Sequence, residues 1–322
     1  MRKMTGALIA LLLGGAAIGT ASAQAPYPSR PIRVVVPFGP GGFADITVRL
    51  VGQKLAERTS QQVVIENRPS AGGIIAANAV TSAQPDGYTL FVFSSGIALS
   101  KALLKTMPFD PATAFTSVST MALFDLLLLV KTDSPMRTLK DALDTARADP
   151  AKFNVGTINP GSTQNVTAEL LRSATGIAMT IVPHRTSAEV LTSLLRGDTQ
   201  IGIESYAALK SPIDSGSIRA IAASGDKRSP MQPNVPTLKE GGIDAAVVGW
   251  DSLVAPAGTP KEIVDTLNAE IKKMVATPEV KEKLETLGFA PVADTPAEFS
   301  ERIKSETVKW SKVINDAKIK IE

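Results

Sequence analysis

The chain has 322 residues, 44% of them hydrophobic and 20% charged, with a formal charge of +3. That length suits two ordinary domains, and that composition excludes a disordered protein. The lack of cysteine and the single histidine, His184, exclude a disulfide framework, thiol nucleophiles, thiolate metal sites and imidazole clusters.

Arg2 and Lys3 precede an apolar run over residues 7–18, and Ala21-Ser22-Ala23 supplies small residues for cleavage before Gln24. The run is too short to span a bilayer. Residues 1–23 therefore read as a secretory signal, and the mature chain is expected in an exported compartment, the periplasm before the open medium. With Arg2 and Lys3 set aside the charge is near neutral. No Lys/Arg cluster with interleaved aromatics appears, so nucleic acid is not an expected partner.

From Ile32 strand and helix patterns alternate. Residues 32–36 read as a buried strand, and a glycine- and proline-rich loop, FGPGG, leads to a helix over 44–57 with its apolar stripe at Ile46, Leu50, Val51 and Leu55. A strand at 63–66, the loop RPSAGG, an alanine-rich helix to Ala79 and a strand at 89–93 follow, the last ending in Ser94-Ser95-Gly96. This order predicts a parallel sheet covered on both faces. A boundary is expected near 108–117, after which the pattern repeats. It comprises an apolar strand at 124–130, a helix at 139–148, a strand at 153–157 and the loop INPGST. A helix stopped by Gly176, a strand at 178–182, a helix at 188–195 ended by Gly197, and strands at 200–203 and 218–223 complete it. A second boundary at 229–236 precedes a strand at 246–255 and helices at 260–276, 278–287 and 296–318, each with proline at its first position.

Two such domains place a cleft between their strand ends. A helix opening just beyond a strand aims unpaired N–H groups and a positive dipole end into that cleft, which makes an anion site from backbone alone. Gly39 to Ala44 also fits the dinucleotide pattern G-x-G-x-x-A, with Glu66 where a ribose-binding acid would fall. Pro40 in the turn and the export signal argue against that reading. Asp45 reads either as a helix-capping acid or as a wall of the site. Ser162 and Thr163 could cap the following helix or face an anion. A catalytic serine has no G-x-S-x-G elbow and no histidine at triad spacing. Arg185 suits a carboxylate, and Glu204 could meet a ligand donor or order Arg185. An exported α/β enzyme acting on a small anion is the alternative reading.

The segments YPSRPIRVVVPFGPGGFAD, VVIENRPSAGGIIAANAV, PDGYTLFVFSSG, PNVPTLKEGG and VGWDSLVAPAGTP, in this order, resemble the solute receptors of tripartite tricarboxylate transporters, also called Bug or TctC receptors. The resemblance implies a two-domain α/β periplasmic binding protein of the Venus-flytrap type, each domain an open, mostly parallel sheet with helices on both faces. Residues 24–124 plus 248–322 would form domain 1, and 125–247 domain 2. It implies a monomer that performs no chemistry, needs no cofactor or metal, holds a small organic carboxylate, and hands it to a membrane permease or a sensor kinase. The ligand contacts implied in domain 1 are Phe38, Gly42, Phe43, Ala44, Asp45, Ser94 and Ser95. Those in domain 2 are Thr157, Gly161, Ser162, Thr163, His184, Arg185 and Thr186, with Glu204 added on the argument above. The chain departs from the family pattern at Phe43, Asn165, Asp251 and across Pro183 to Thr186, all on or beside the expected pocket loops. Phe38 and Phe43 stacking on a ring, with Arg185 on a distal carboxylate, would favour an aromatic or longer dicarboxylate.

Overall fold

The computed structural model describes residues 27–104 and 106–316, so the expected signal segment lies outside the described residues. Lobe 1 opens with β1 (Ile32–Val36), α1 (Phe43–Thr59), β2 (Val63–Asn67), α2 (Ile74–Thr81), β3 (Thr89–Ser94) and α3 (Ser95–Leu103). The long strand β4 (Phe115–Lys131) then leads into lobe 2. That lobe contains α4 (Leu139–Ala148), β5 (Asn154–Ile158), α5 (Thr163–Thr175), β6 (Thr180–His184), α6 (Ser187–Arg196), β7 (Ile201–Ser205), α7 (Lys210–Asp214) and β8 (Ile218–Ala223). The chain returns through β9 (Val248–Pro256), α8 (Lys261–Val275), α9 (Pro278–Thr286), β10 (Phe289–Pro291) and α10 (Pro296–Asp316).

The strands run in the order β2-β1-β3-β9-β4-β7-β5-β6, with β8 and β10 also on β4. Pairing is parallel for β1 with β2 and β3, and for β5 with β6 and β7, as the alternating pattern predicts. The antiparallel pairs all involve β4 or β9, the strands at the crossings between lobes. Residues 115–125 of β4 pair with β9, whereas from Leu126 the same strand pairs with β7 and β8. β4 thus belongs to both sheets without a break. The sequence led us to expect a boundary at 108–117, where Pro, Asp and Thr crowd together, whereas β4 already begins at Phe115. Further along the strand the hydroxyls of Ser119 and Thr120 are buried and satisfied: Thr120 Oγ1 donates to Asp294 Oδ2 (2.7 Å) and Ser119 Oγ to the Asp294 carbonyl (3.1 Å).

One apolar cluster gathers Val34, Val35, Phe91, Phe93 and Leu253 in lobe 1, and another gathers Leu126, Leu128, Val155, Leu171 and Ile203 in lobe 2. A third joins Leu99 and Leu103 of α3 to Val166 and Leu170 of α5, so the lobes also meet through side chains. Ser224 clasps the two crossings together. It accepts from Leu126 N at 3.0 Å and donates to the Val247 carbonyl at 2.6 Å. β9 alternates in the manner of any strand. Trp250 faces the core, 6.0 Å from Phe93 and 5.6 Å from Phe299, while Asp251 faces the cleft.

Candidate functional site

A cavity of about 20 Å³, room for about one water, lies between the lobes, and its wall is made by helix starts. The first residues or N-caps of α1, α3, α5 and α6 all reach it: Gly42, Ser94, Thr163 and Thr186. In each first turn some N–H groups lack an intrahelical acceptor, and each N-terminus carries roughly half a positive charge. Four such ends at one point favour an anion without a lysine in the wall.

The two loops that carry α1 and α5 are built alike. In Pro40-Gly41 and Pro160-Gly161 the glycine takes φ +80 in both cases, a conformation side chains resist. The Gly41 N–H donates to Asp45 Oδ2 at 3.0 Å, and the Gly161 N–H to Asn165 Oδ1 at 3.2 Å, four residues on in each loop. Asp45 also accepts from Arg49 (3.0 Å) and Asn67 (2.9 Å). Burial pushes its carboxyl up, but these hydrogen bonds outweigh burial and hold it below the ordinary range. Asp45 therefore shapes the loop, and the cavity wall passes to Phe38, Gly42, Phe43 and Ala44.

In lobe 1 Ser94 also lines the cavity, while Ser95 stands beside it and bonds across the cleft to Thr163, hydroxyl to hydroxyl at 2.8 Å. The Gly72 N–H reaches the Pro160 carbonyl at 3.1 Å, a second bond between lobes. In lobe 2 Thr163, Arg185 and Thr186 line the cavity. Gly161 and Ser162 form the turn below it, and Ser162 caps α5 by accepting from Asn165 N at 3.1 Å. The Thr157 hydroxyl is taken by the Ile158 carbonyl (3.0 Å). His184 lies outside the wall, with Nε2 buried near Gly156, and burial lowers its pKa.

Glu204 is behind the wall and fully buried. It accepts from Gln164 Nε2 (2.8 Å), Ser187 Oγ (2.6 Å) and Ser205 N (2.7 Å). Gln164 and Ser187 begin the helices α5 and α6 and both line the cavity, so Glu204 sets the two lobe 2 helix ends against each other. Burial pushes its carboxyl up and those donors pull it back.

Phe43 does not present a free face for stacking. Its ring packs 3.6 Å from that of Phe124 and 4.6 Å from that of Phe289, in an apolar cluster that continues into lobe 2. The ring-stacking ligand expected from Phe38 and Phe43 thus loses one of its two platforms. Sequence reasoning did not place Gln164, Ser187, Phe124 or Ile158 in the wall, and it set Gly39 and Asp251 on or beside the pocket loops without naming them as contacts. For Gln164 and Ser187 the signal was present, since they stand two residues and one residue beyond the capping hydroxyls of Ser162 and Thr186. Asp251 was visible as one charge inside the apolar run VGWDSLVAP.

Two open α/β lobes, joined by two crossings and closing on opposed helix ends, define a ligand-clamping binding protein. A family model described as tripartite tricarboxylate transporter family receptor matches residues 47–319, and the chain belongs to that family, one of solute receptors and not of enzymes. Among solved structures, R. palustris Rpa4515 with adipate has a TM-score of 0.88 at 33% identity, covering 92% of this chain and 100% of its own. MatC from Rhodopseudomonas palustris with bound malate has a TM-score of 0.85 at 29% identity, covering 89% and 100%. The periplasmic binding protein BugD has a TM-score of 0.86 at 26% identity, covering 92% and 100%.

Proposed function

We propose that the chain is exported to the periplasm, loses residues 1–23, and as a monomer captures a small carboxylate between its lobes for delivery to the permease of a tripartite tricarboxylate-type transporter. Domain 1 comprises 24–124 plus 248–322 and domain 2 comprises 125–247, a division supported by the change of partners along β4 after Asp125. The observation that carries the reading is the meeting of four helix N-termini at one buried point. Adipate and malate, named with two similar structures, are small dicarboxylates of the kind such a point suits. The cavity has room for about one water, too little for such a metabolite, so binding requires the lobes to part and close again about the two crossings that Ser224 clasps.

Thermal unfolding of protein beginning at Gln24, across a carboxylate panel, tests this. A true ligand at 100 times its Kd adds about 2.7 kcal/mol of stability, and mass spectrometry returns it unaltered. A panel without one stabilising acid, or a ligand recovered as a product, overturns the receptor reading.

A further inference from the structure

Asp251 is 1% exposed, lines the cavity, and neither of its carboxylate oxygens has a hydrogen-bond partner. It sits on β9 in register with Ser94 of β3, whose hydroxyl is also buried, unpartnered and in the cavity wall. Two unsatisfied polar groups on adjacent strands thus face one space. An unpaired buried carboxylate is among the costliest arrangements a core can hold, and it is tolerable where a cation or strong donor meets it. None of the described lysines or arginines does so. Trp250 and Ser252, its chain neighbours, are occupied elsewhere: the indole N–H donates to Glu306 (2.6 Å) and the Ser252 hydroxyl to the Phe93 carbonyl (2.7 Å).

We propose that the ligand is an amino carboxylate, its ammonium group seated between the Asp251 carboxylate and the Ser94 hydroxyl, and its carboxylate on the remaining helix N-termini, those of α1, α5 and α6. This rests on the receptor reading of the same cavity and narrows it. An ammonium carries three donors on one atom, enough for the carboxylate and the hydroxyl together, and its charge cancels that of Asp251. A plain dicarboxylate would instead bring a second anion beside a buried one, which is tolerable only if Asp251 is protonated. Burial pushes its carboxyl in that direction, and the experiment separates the two cases.

The probes are matched triplets differing in one substituent: succinate, malate and aspartate; glutarate, 2-hydroxyglutarate and glutamate; propionate, lactate and alanine. Calorimetric titration of wild-type protein is expected to give the amino member of at least one triplet an affinity tenfold or more above its unsubstituted partner. Asp251→Asn should remove that preference, lowering affinity for the amino member by at least about tenfold while leaving the unsubstituted acid bound as well or better. The wild-type comparison stands even if the variant does not fold. Tighter or equal binding of the unsubstituted or hydroxy acids overturns the ammonium assignment and leaves the receptor reading intact. An unchanged affinity of Asp251→Asn for the amino acid also overturns it. A panel with no binding in any triplet overturns both.

Discussion

Glu204 shows how much a single side chain behind a pocket can organise. Its three donors include the side chains of Gln164 and Ser187, each at the start of a different helix. Glu204→Ala strands all three, and a stranded buried donor costs about 1–3 kcal/mol. The expected loss is at least about 3 kcal/mol in urea unfolding, accompanied by weaker ligand binding, and equal midpoints for the two proteins would disprove the bracing role. Asp45 was legible from sequence only as an ambiguity, because a first-turn acid serves a helix in either role. Its three partners decide the matter, and two of them, Asn67 and the Gly41 amide, depend on tertiary or loop geometry that residue spacing does not disclose. The same limit explains His184, a contact that the family resemblance implies, which instead turns its ring toward Gly156.

At the level of elements, periodicity located most strands and helices because each buries one face. β6 was displaced by two residues, since Pro183 argues against a strand; it is tolerated because β6 lies at the sheet edge. α3 went unread because it starts on the residue after β3, and Ser94-Ser95-Gly96 has the composition of a loop. That abrupt start has a use: a Cβ on Gly96 would sit 2.5 Å from the Gly161 carbonyl oxygen and 2.8 Å from Thr163 N, across the cleft. Gly96→Ala should therefore wedge the lobes apart while favouring the helix itself by about 1 kcal/mol. We expect affinity to fall about tenfold or more and the radius of gyration with ligand to rise, with little change in unliganded stability. An unchanged radius and affinity would show that the approach is not needed. β4 carries a second testable element property, at the joint between its halves. Burial, then the charge of Asp226, pushes the Asp125 carboxyl up to about 6. Between about pH 4 and 6 the folded protein keeps a proton that the unfolded chain has released. Stability from this group is thus full at low pH and falls as pH rises through that window. Asp125→Asn should flatten the fall and raise stability at pH 7, whereas parallel urea-unfolding profiles from pH 4 to 7 would refute it.

Over the whole molecule, the two-lobed α/β plan was legible because strand-loop-helix units recur in both halves, and the loops that bring the starts of α1 and α5 to the cavity were legible because glycine and proline mark them. The floor of the cleft was not. It is supplied by β9, whose residues meet β3 only through a pairing some 160 positions apart, in which Phe93 faces Ser252 and Ser94 faces Asp251. Because β9 lies between β3 and β4, the first sheet lacks its middle strand until nearly four-fifths of the polypeptide has been made. A fragment ending at Val247 should accordingly show slow-exchanging amides in β5 to β7 and fast exchange in β1 to β3, and adding the C-terminal piece should protect the latter. The amino-terminal half is in this sense a late-maturing structure: synthesis delivers it first, and the tail of the chain completes it last.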